Sequence, residues 1–196
     1  LLLCIAPLAL PRSGRAQPKP VVVVQSGEAA TLDWHMHCDK NAHEPDRQIF
    51  DTLLRRDQKS LQLAANLAES WRLVNDTTWE LKLRKNVAFH NGEPFTAESV
   101  KFSIERVTNP ATKSPWGGRI ALVERVEILD PHTLRIVTKS PFGPLLQGLT
   151  VVDMLPPKYF TEKTERGFLE APVGTGPFRF KAWAKQDHFA FTANPG

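Results

Sequence analysis

The chain has 196 residues, 41% hydrophobic and 23% charged, with 25 Lys and Arg against 21 Asp and Glu. This is the balance of a globular chain. The basic residues are scattered among acids with no Lys/Arg run, which argues against a nucleic-acid partner.

Leu1 to Leu10 is an apolar run too short to span a bilayer, followed by Pro11 and Arg12-Ser13-Gly14-Arg15-Ala16. Gly14 and Ala16 stand at the −3 and −1 positions of a signal-peptidase site, so residues 1–16 read as part of a secretory signal. Leu3 before Cys4 disfavours a lipoprotein box. Cleavage after Ala16 leaves Cys38 as the sole cysteine, and an internal disulfide is then impossible. Val21 to Val24 reads as a strand buried on both faces, and Ala29 to Trp34 as a second short strand. Asp39 or Asn41 is expected to cap a helix that continues to about Leu54, with Pro45 in its first turn.

Hairpins follow. Trp71 to Val74 and Thr78 to Leu83 flank Asn75-Asp76-Thr77. Trp79, Leu81 and Leu83 alternate with Glu80, Lys82 and Arg84, which puts one face in the core and the other in water. Asn91-Gly92 marks a turn. Thr96 caps an amphipathic helix over Ala97 to Val107, with Val100, Ile104 and Val107 on one face. A Pro/Gly-rich loop leads to a hairpin of Val123 to Leu129 and Leu134 to Thr138. Short helices are expected near Pro144 to Leu149 and from Pro156-Pro157 to about Arg166. Gly174-Thr175-Gly176-Pro177 then leads into strands Phe178 to Trp183 and His188 to Thr192.

No hydrolase elbow, P-loop or zinc-protease motif is present. Gly174-Thr175-Gly176 precedes a strand, so it is not a dinucleotide fingerprint. No cofactor is therefore expected. His35, Met36, His37, Cys38 and His43 form the one cluster of metal-competent donors. On an extended segment His35 and His37 would point the same way and, with Cys38, offer a site for a soft or borderline metal. The spacing fits no standard zinc site, and structural histidines beside a small cysteine explain it as well. Trp116 reads either as a stacking surface for a ligand or as a plug over the core.

Several segments together resemble the family 5 extracellular solute-binding proteins, the receptors that feed bacterial ABC importers. Thr31-Leu32-Asp33-Trp34-His35 is similar to the family's T-L-D-P-H, with Trp34 in place of proline. Leu83 to Val100, LRKNVAFHNGEPFTAESV, resembles its L-R-x-x-V-x-F-H-x-G-x-P-F-T-A-x-D-V, and Pro172 to Phe180 its return segment. The resemblance implies an α/β, type II periplasmic-binding-protein-like fold, a Venus-flytrap lobe with an inserted α+β subdomain. Residues 17–45 would start the first lobe, 46–170 form the subdomain and 171–196 return to the first lobe. The second lobe is then expected to be absent and the lobe incomplete, since no initiating Met opens the chain and Asn194-Pro195-Gly196 stops where the family writes N-P-x-Y-W. Surface around Val21 to Val24 and Phe178 to Trp183 is then expected to be exposed and apolar.

The function so implied is capture of peptides or similar small solutes in the periplasm, for delivery to an ABC permease and ATPase complex, by a protein that is monomeric at full length. His37, Cys38, His43 and Trp116 become the candidate ligand-lining residues, and His35, His37 and Cys38 the candidates for a metal. A nickel or metallophore receptor of the same fold is the alternative. A secreted enzyme is a more distant one, because no nucleophile–base pair is visible.

Overall fold

The computed structural model describes residues 21–195. The signal-sequence reading of residues 1–16 lies outside them. Val21 to Val24 is not a buried strand: all four valines are exposed and outside any strand. A β-branched run forms a sheet only where a partner strand supplies its hydrogen bonds, and none of the described strands lies beside it. Ala29 to Trp34 is not a strand either. It leads into a tight turn of 3-10 helix, Trp34–Met36, because Asp33 accepts a hydrogen bond from the His35 backbone N–H at 3.1 Å and bends the chain.

Helix α1 spans Lys40–Ile49 and is capped by Asp39, whose carboxylate accepts from Asn41 N at 3.0 Å. It ends before Leu54, and Pro45 lies in its interior, not in its first turn. The stop is tertiary. The Ile49 carbonyl accepts from Gly176 N at 2.8 Å, and Phe50 turns extended to enter a separate core cluster. Leu54 then opens β1 (Leu54–Arg56), which pairs antiparallel with β2 (Leu63–Ala65).

The main sheet combines two hairpins. β3 (Ala68–Asn75) pairs with β4 (Thr78–Leu83), and β5 (Val123–Asp130) with β6 (Thr133–Thr138). β4 and β6 join antiparallel in the middle, giving the order β3-β4-β6-β5. Helix α2 (Ala97–Thr108) packs Val100 and Ile104 into the core shared with Leu81, Leu83, Leu134 and Ile136. The period-two reading of β4 holds for the core face and fails in one detail on the other. Glu80 is buried, because Arg72 and Arg135 fold over it with contacts of 2.6 and 2.9 Å. Hydrogen bonds from Arg72 and then Arg135 hold its pKa below the ordinary range.

A second, smaller cluster joins Leu32, Ile49, Phe50, Leu155 and Phe168. Against it lie aromatic side chains of the hairpin β7 (Phe178–Ala184) and β8 (His188–Ala193). Phe178 is exposed, whereas Trp183 is half-buried, so only part of the apolar surface expected on β7 is open. Helix α3 is the short Leu145–Gly148. Helix α4 (Pro157–Glu170) is broken at Thr164, where φ is 63°. Its open first turn is satisfied by Glu93, whose carboxylate accepts from Lys158 N at 3.0 Å and Tyr159 N at 3.2 Å.

The loop before β7 seals the two clusters together. His90 N donates to Gly174 O at 2.8 Å, and the His90 ring bonds Gly176 O at 2.9 Å. A side chain on Gly174 has no room, since its Cβ would sit 2.1 Å from the Ile49 carbonyl oxygen. Gly174→Ala should therefore lower stability by several kcal/mol, on the order of 3 or more, because backbone must move. Gly143→Ala, where a Cβ meets nothing within 4 Å, should not. Denaturant unfolding of both variants checks this.

Candidate binding site

The candidate residues gather around one turn. Asp33 anchors it. Arg106 on α2 clamps the Asp33 carboxylate with contacts of 3.0 and 2.6 Å, and the two side chains are only 9% and 1% exposed. Arg106 also reaches Glu165 at 3.3 Å and lies over the Phe160 ring at 4.7 Å. The turn Trp34–Met36 follows directly and presents Trp34 to Trp116, the rings stacked at 4.8 Å. The Trp116 indole N–H points at two backbone carbonyls of this turn, Trp34 O at 2.7 Å and His37 O at 3.0 Å. Trp116 thus combines a plug over the core with a clamp on the turn.

The turn separates the histidines that an extended segment would align. His35 is fully buried, and its Nε2–H donates to Asp153 O at 2.8 Å. Burial, with Arg106 adding and Asp33 opposing, brings its pKa down to about 4. His37 is half-buried. Its Nδ1 accepts from Asp39 N at 3.1 Å, which leaves the proton on Nε2, 3.6 Å from Asp46 Oδ2. Burial lowers its pKa too. Cys38 is a free, exposed thiol. His43 lies on α1 with its ring 5.1 Å from Trp34, and its Nε2 accepts from Arg47 at 2.9 Å.

His35 gives its Nε2–H to Asp153 O and His37 uses its Nδ1 lone pair on Asp39 N–H, so the two rings turn to different partners and not to a shared point. Among the described residues no three His, Cys, Asp or Glu side chains gather as a metal site. His37, His43 and Trp116 do gather, around Trp34, with Cys38 next to His37 in the chain. Three participants were not singled out by the sequence reading: Arg106, Asp46 and Asp153. Asp46 had a signal, since it falls on the same stripe of α1 as the buried Ala42 and Ile49. Arg106 and Asp153 had none, because their partners are distant in the chain.

Residues 62–196 match the bacterial extracellular solute-binding proteins, family 5 Middle. The chain belongs to family 5 of the bacterial extracellular solute-binding proteins. The glutathione-binding protein GsiB of Pectobacterium atrosepticum is 30% identical over 86% of this chain and 33% of its own length. The structure of NikZ from Campylobacter jejuni, in complex with Ni(L-His), superposes with a TM-score of 0.76 at 32% identity, covering 86% of this chain and 34% of that one. DppA from Helicobacter pylori, an ABC transporter-associated periplasmic binding protein in complex with peptide STSA, gives a TM-score of 0.77 at 26% identity over 86% of this chain and 38% of that one. This family 5 chain thus spans about a third of the length of the relatives it matches. Its mixed α/β fold is that of the type II periplasmic binding proteins. No helix among the described residues is long and apolar enough to cross a membrane.

Two outcomes test the turn. Trp116→Phe keeps an aromatic ring but leaves the Trp34 and His37 carbonyls without their donor, and denaturant unfolding should show a loss of about 1–3 kcal/mol. His35 has a folded pKa below its unfolded value, so its contribution is complete above about pH 6.5 and is lost as pH falls toward 4. Relative to His35→Asn, the folded protein should lose about 3 kcal/mol across that window. Unfolding curves of both proteins at several pH values check this.

Proposed function

We propose that this chain is part of the substrate-binding component of a bacterial ABC importer, one that captures peptides or similar small solutes in the periplasm. The observation that carries this reading is the family match over residues 62–196 together with relatives that bind glutathione and a peptide. The complete protein delivers its solute to a membrane permease and ATPase complex, and it works as a monomer. It binds and releases without chemistry, as the binding proteins it resembles do.

The two clusters of buried residues support a division of the chain, although Ile49, Phe50, Leu155 and Phe168 of the middle segment join the second cluster. Residues 46–170 form the α+β subdomain, supported by a core that runs from Leu53 to Met154. Residues 17–45 and 171–196 belong to the first lobe, supported by the cluster that brings Leu32 together with the β7–β8 aromatics. Cys38 and His43, with the rim of Trp116, line the ligand. His37 acts from behind, since its ring is held by Asp39 and Asp46. Stacking on Trp116 and hydrogen bonds from the rim suit a peptide backbone. The metallophore alternative keeps the likeness to NikZ, in complex with Ni(L-His), in its favour, while His35 and His37 each commit one ring nitrogen to a protein partner.

Isothermal titration of the protein from the complete reading frame, against dipeptides, longer peptides and glutathione, should show saturable binding of at least one. Replacing Cys38 and His43 together by Ala should weaken that binding about tenfold, or ~1.4 kcal/mol, without changing the melting temperature. A cooperatively folded protein that binds none of these solutes overturns the reading.

A further inference from the structure

The buried side-chain atoms left without a hydrogen-bond partner, among the described residues, are four: His35 Nδ1, His37 Nε2 and both carboxyl oxygens of Asp46. All belong to the turn behind the proposed ligand rim or to the helix face against it. Asp46 is only 3% exposed, so water does not solvate it freely. Arg106, a cation of the surroundings, is committed to Asp33 and Glu165. Arg47 bonds His43. The other ionisable groups that bear on Asp46 are Asp153, Asp33 and Asp39, all carboxylates.

The donor and acceptor inventory of the four atoms balances in two ways, and burial selects between them: a protonated His35 with an ionised Asp46 would set two charges where water does not reach, which the neutral pair avoids. His37 Nε2 carries a hydrogen, because Nδ1 accepts from Asp39 N. In a neutral His35, Nδ1 is a lone pair, because Nε2–H donates to Asp153 O. An ionised Asp46 would bring two more acceptors and leave one donor for three acceptor atoms. A neutral Asp46 brings one donor and one acceptor, and the set balances at two of each. Groups beyond direct reach in such a set are commonly joined by one ordered water.

We propose that Asp46 carries a proton in the folded protein and, as a neutral acid, is the positioning residue that holds the His35–His37 turn against α1. Burial, then Asp153, Asp33 and Asp39, push its pKa up to about 9, which agrees with the geometry. The inference concerns the turn itself and holds whatever solute the protein carries.

Infrared difference spectroscopy tests it directly. At pH 7 the folded protein should show the carbonyl stretch of a buried neutral carboxylic acid, and Asp46→Asn should lack it. Asn offers an N–H in place of the O–H and keeps the acceptor, so Asp46→Asn should fold with an unfolding constant within about tenfold of the parent, while Asp46→Ala should raise it about 10- to 100-fold. Between pH 6.5 and 9, above the histidine window, the folded state holds a proton that the unfolded chain releases, so stability falls as pH rises. Asp153, whose pKa burial also raises, shares that fall. Asp46→Asn should remove a slope of up to tenfold in the unfolding constant per pH unit. If Asp46→Asn fails to fold, Asp153→Asn gives the reference, and the acid band that survives it belongs to Asp46. A parent spectrum without the band, a band that Asp46→Asn leaves unchanged, or a variant with the parental pH slope overturns the proposal.

Discussion

The Asp33–Arg106 pair is the joint on which the site turns. It fixes the segment before α1 to helix α2, and so to the main sheet that α2 covers. Both groups are almost fully withdrawn from water. A buried pair of this kind adds little net stability, but losing one partner costs about 3–5 kcal/mol. Its use is therefore geometric. Asp33 spends one carboxylate oxygen on Arg106 and on the His35 backbone N–H together, so the clamp and the start of the turn are set by the same atom.

The turn places unlike groups at unlike depths. His35 goes inward to Asp153, His37 lies between Asp39 and Asp46, and Cys38 emerges into solvent. Trp116 closes the outside by giving its N–H to two carbonyls of that turn. Hydrogen bonds and ring stacking hold this turn in place within the protein itself. The Arg72–Glu80–Arg135 cluster on the far side of the sheet is a different arrangement. There the guanidiniums cover an acid at the surface, and solvent screens much of the gain.

Local signals were enough for most of the regular structure. The two hairpins of the main sheet, helix α2 and the β7–β8 hairpin follow from period-two and period-3.6 patterns with turn residues between them. Each hairpin pairs strands close in sequence, so the local pattern suffices for the element even where its packing partner is distant. The expectations that failed lie where distant chain segments decide. α1 stops at Ile49 because Gly174 and Gly176 pack onto that carbonyl from more than a hundred residues away. Val21 to Val24 has strand propensity without a partner strand in the described residues.

The sequence by itself determined the family, the order of the regular elements from β3 onward and which residues cluster near the turn, since each of these is written in contiguous motifs. Only the tertiary structure decided the roles within that cluster. His35, His37 and Cys38 read as equivalent metal donors when the chain is taken as extended. The bend imposed by Asp33 sends them to different surroundings, and the hydrogen bonds from Asp39 and to Asp153 fix which ring nitrogen keeps its proton. Arg106 and Asp153 enter through contacts spanning 73 and 118 residues, and Asp46 through a helix face that only packing buries. A linear pattern records which residue types are present, but protonation and depth are set by neighbours that folding supplies.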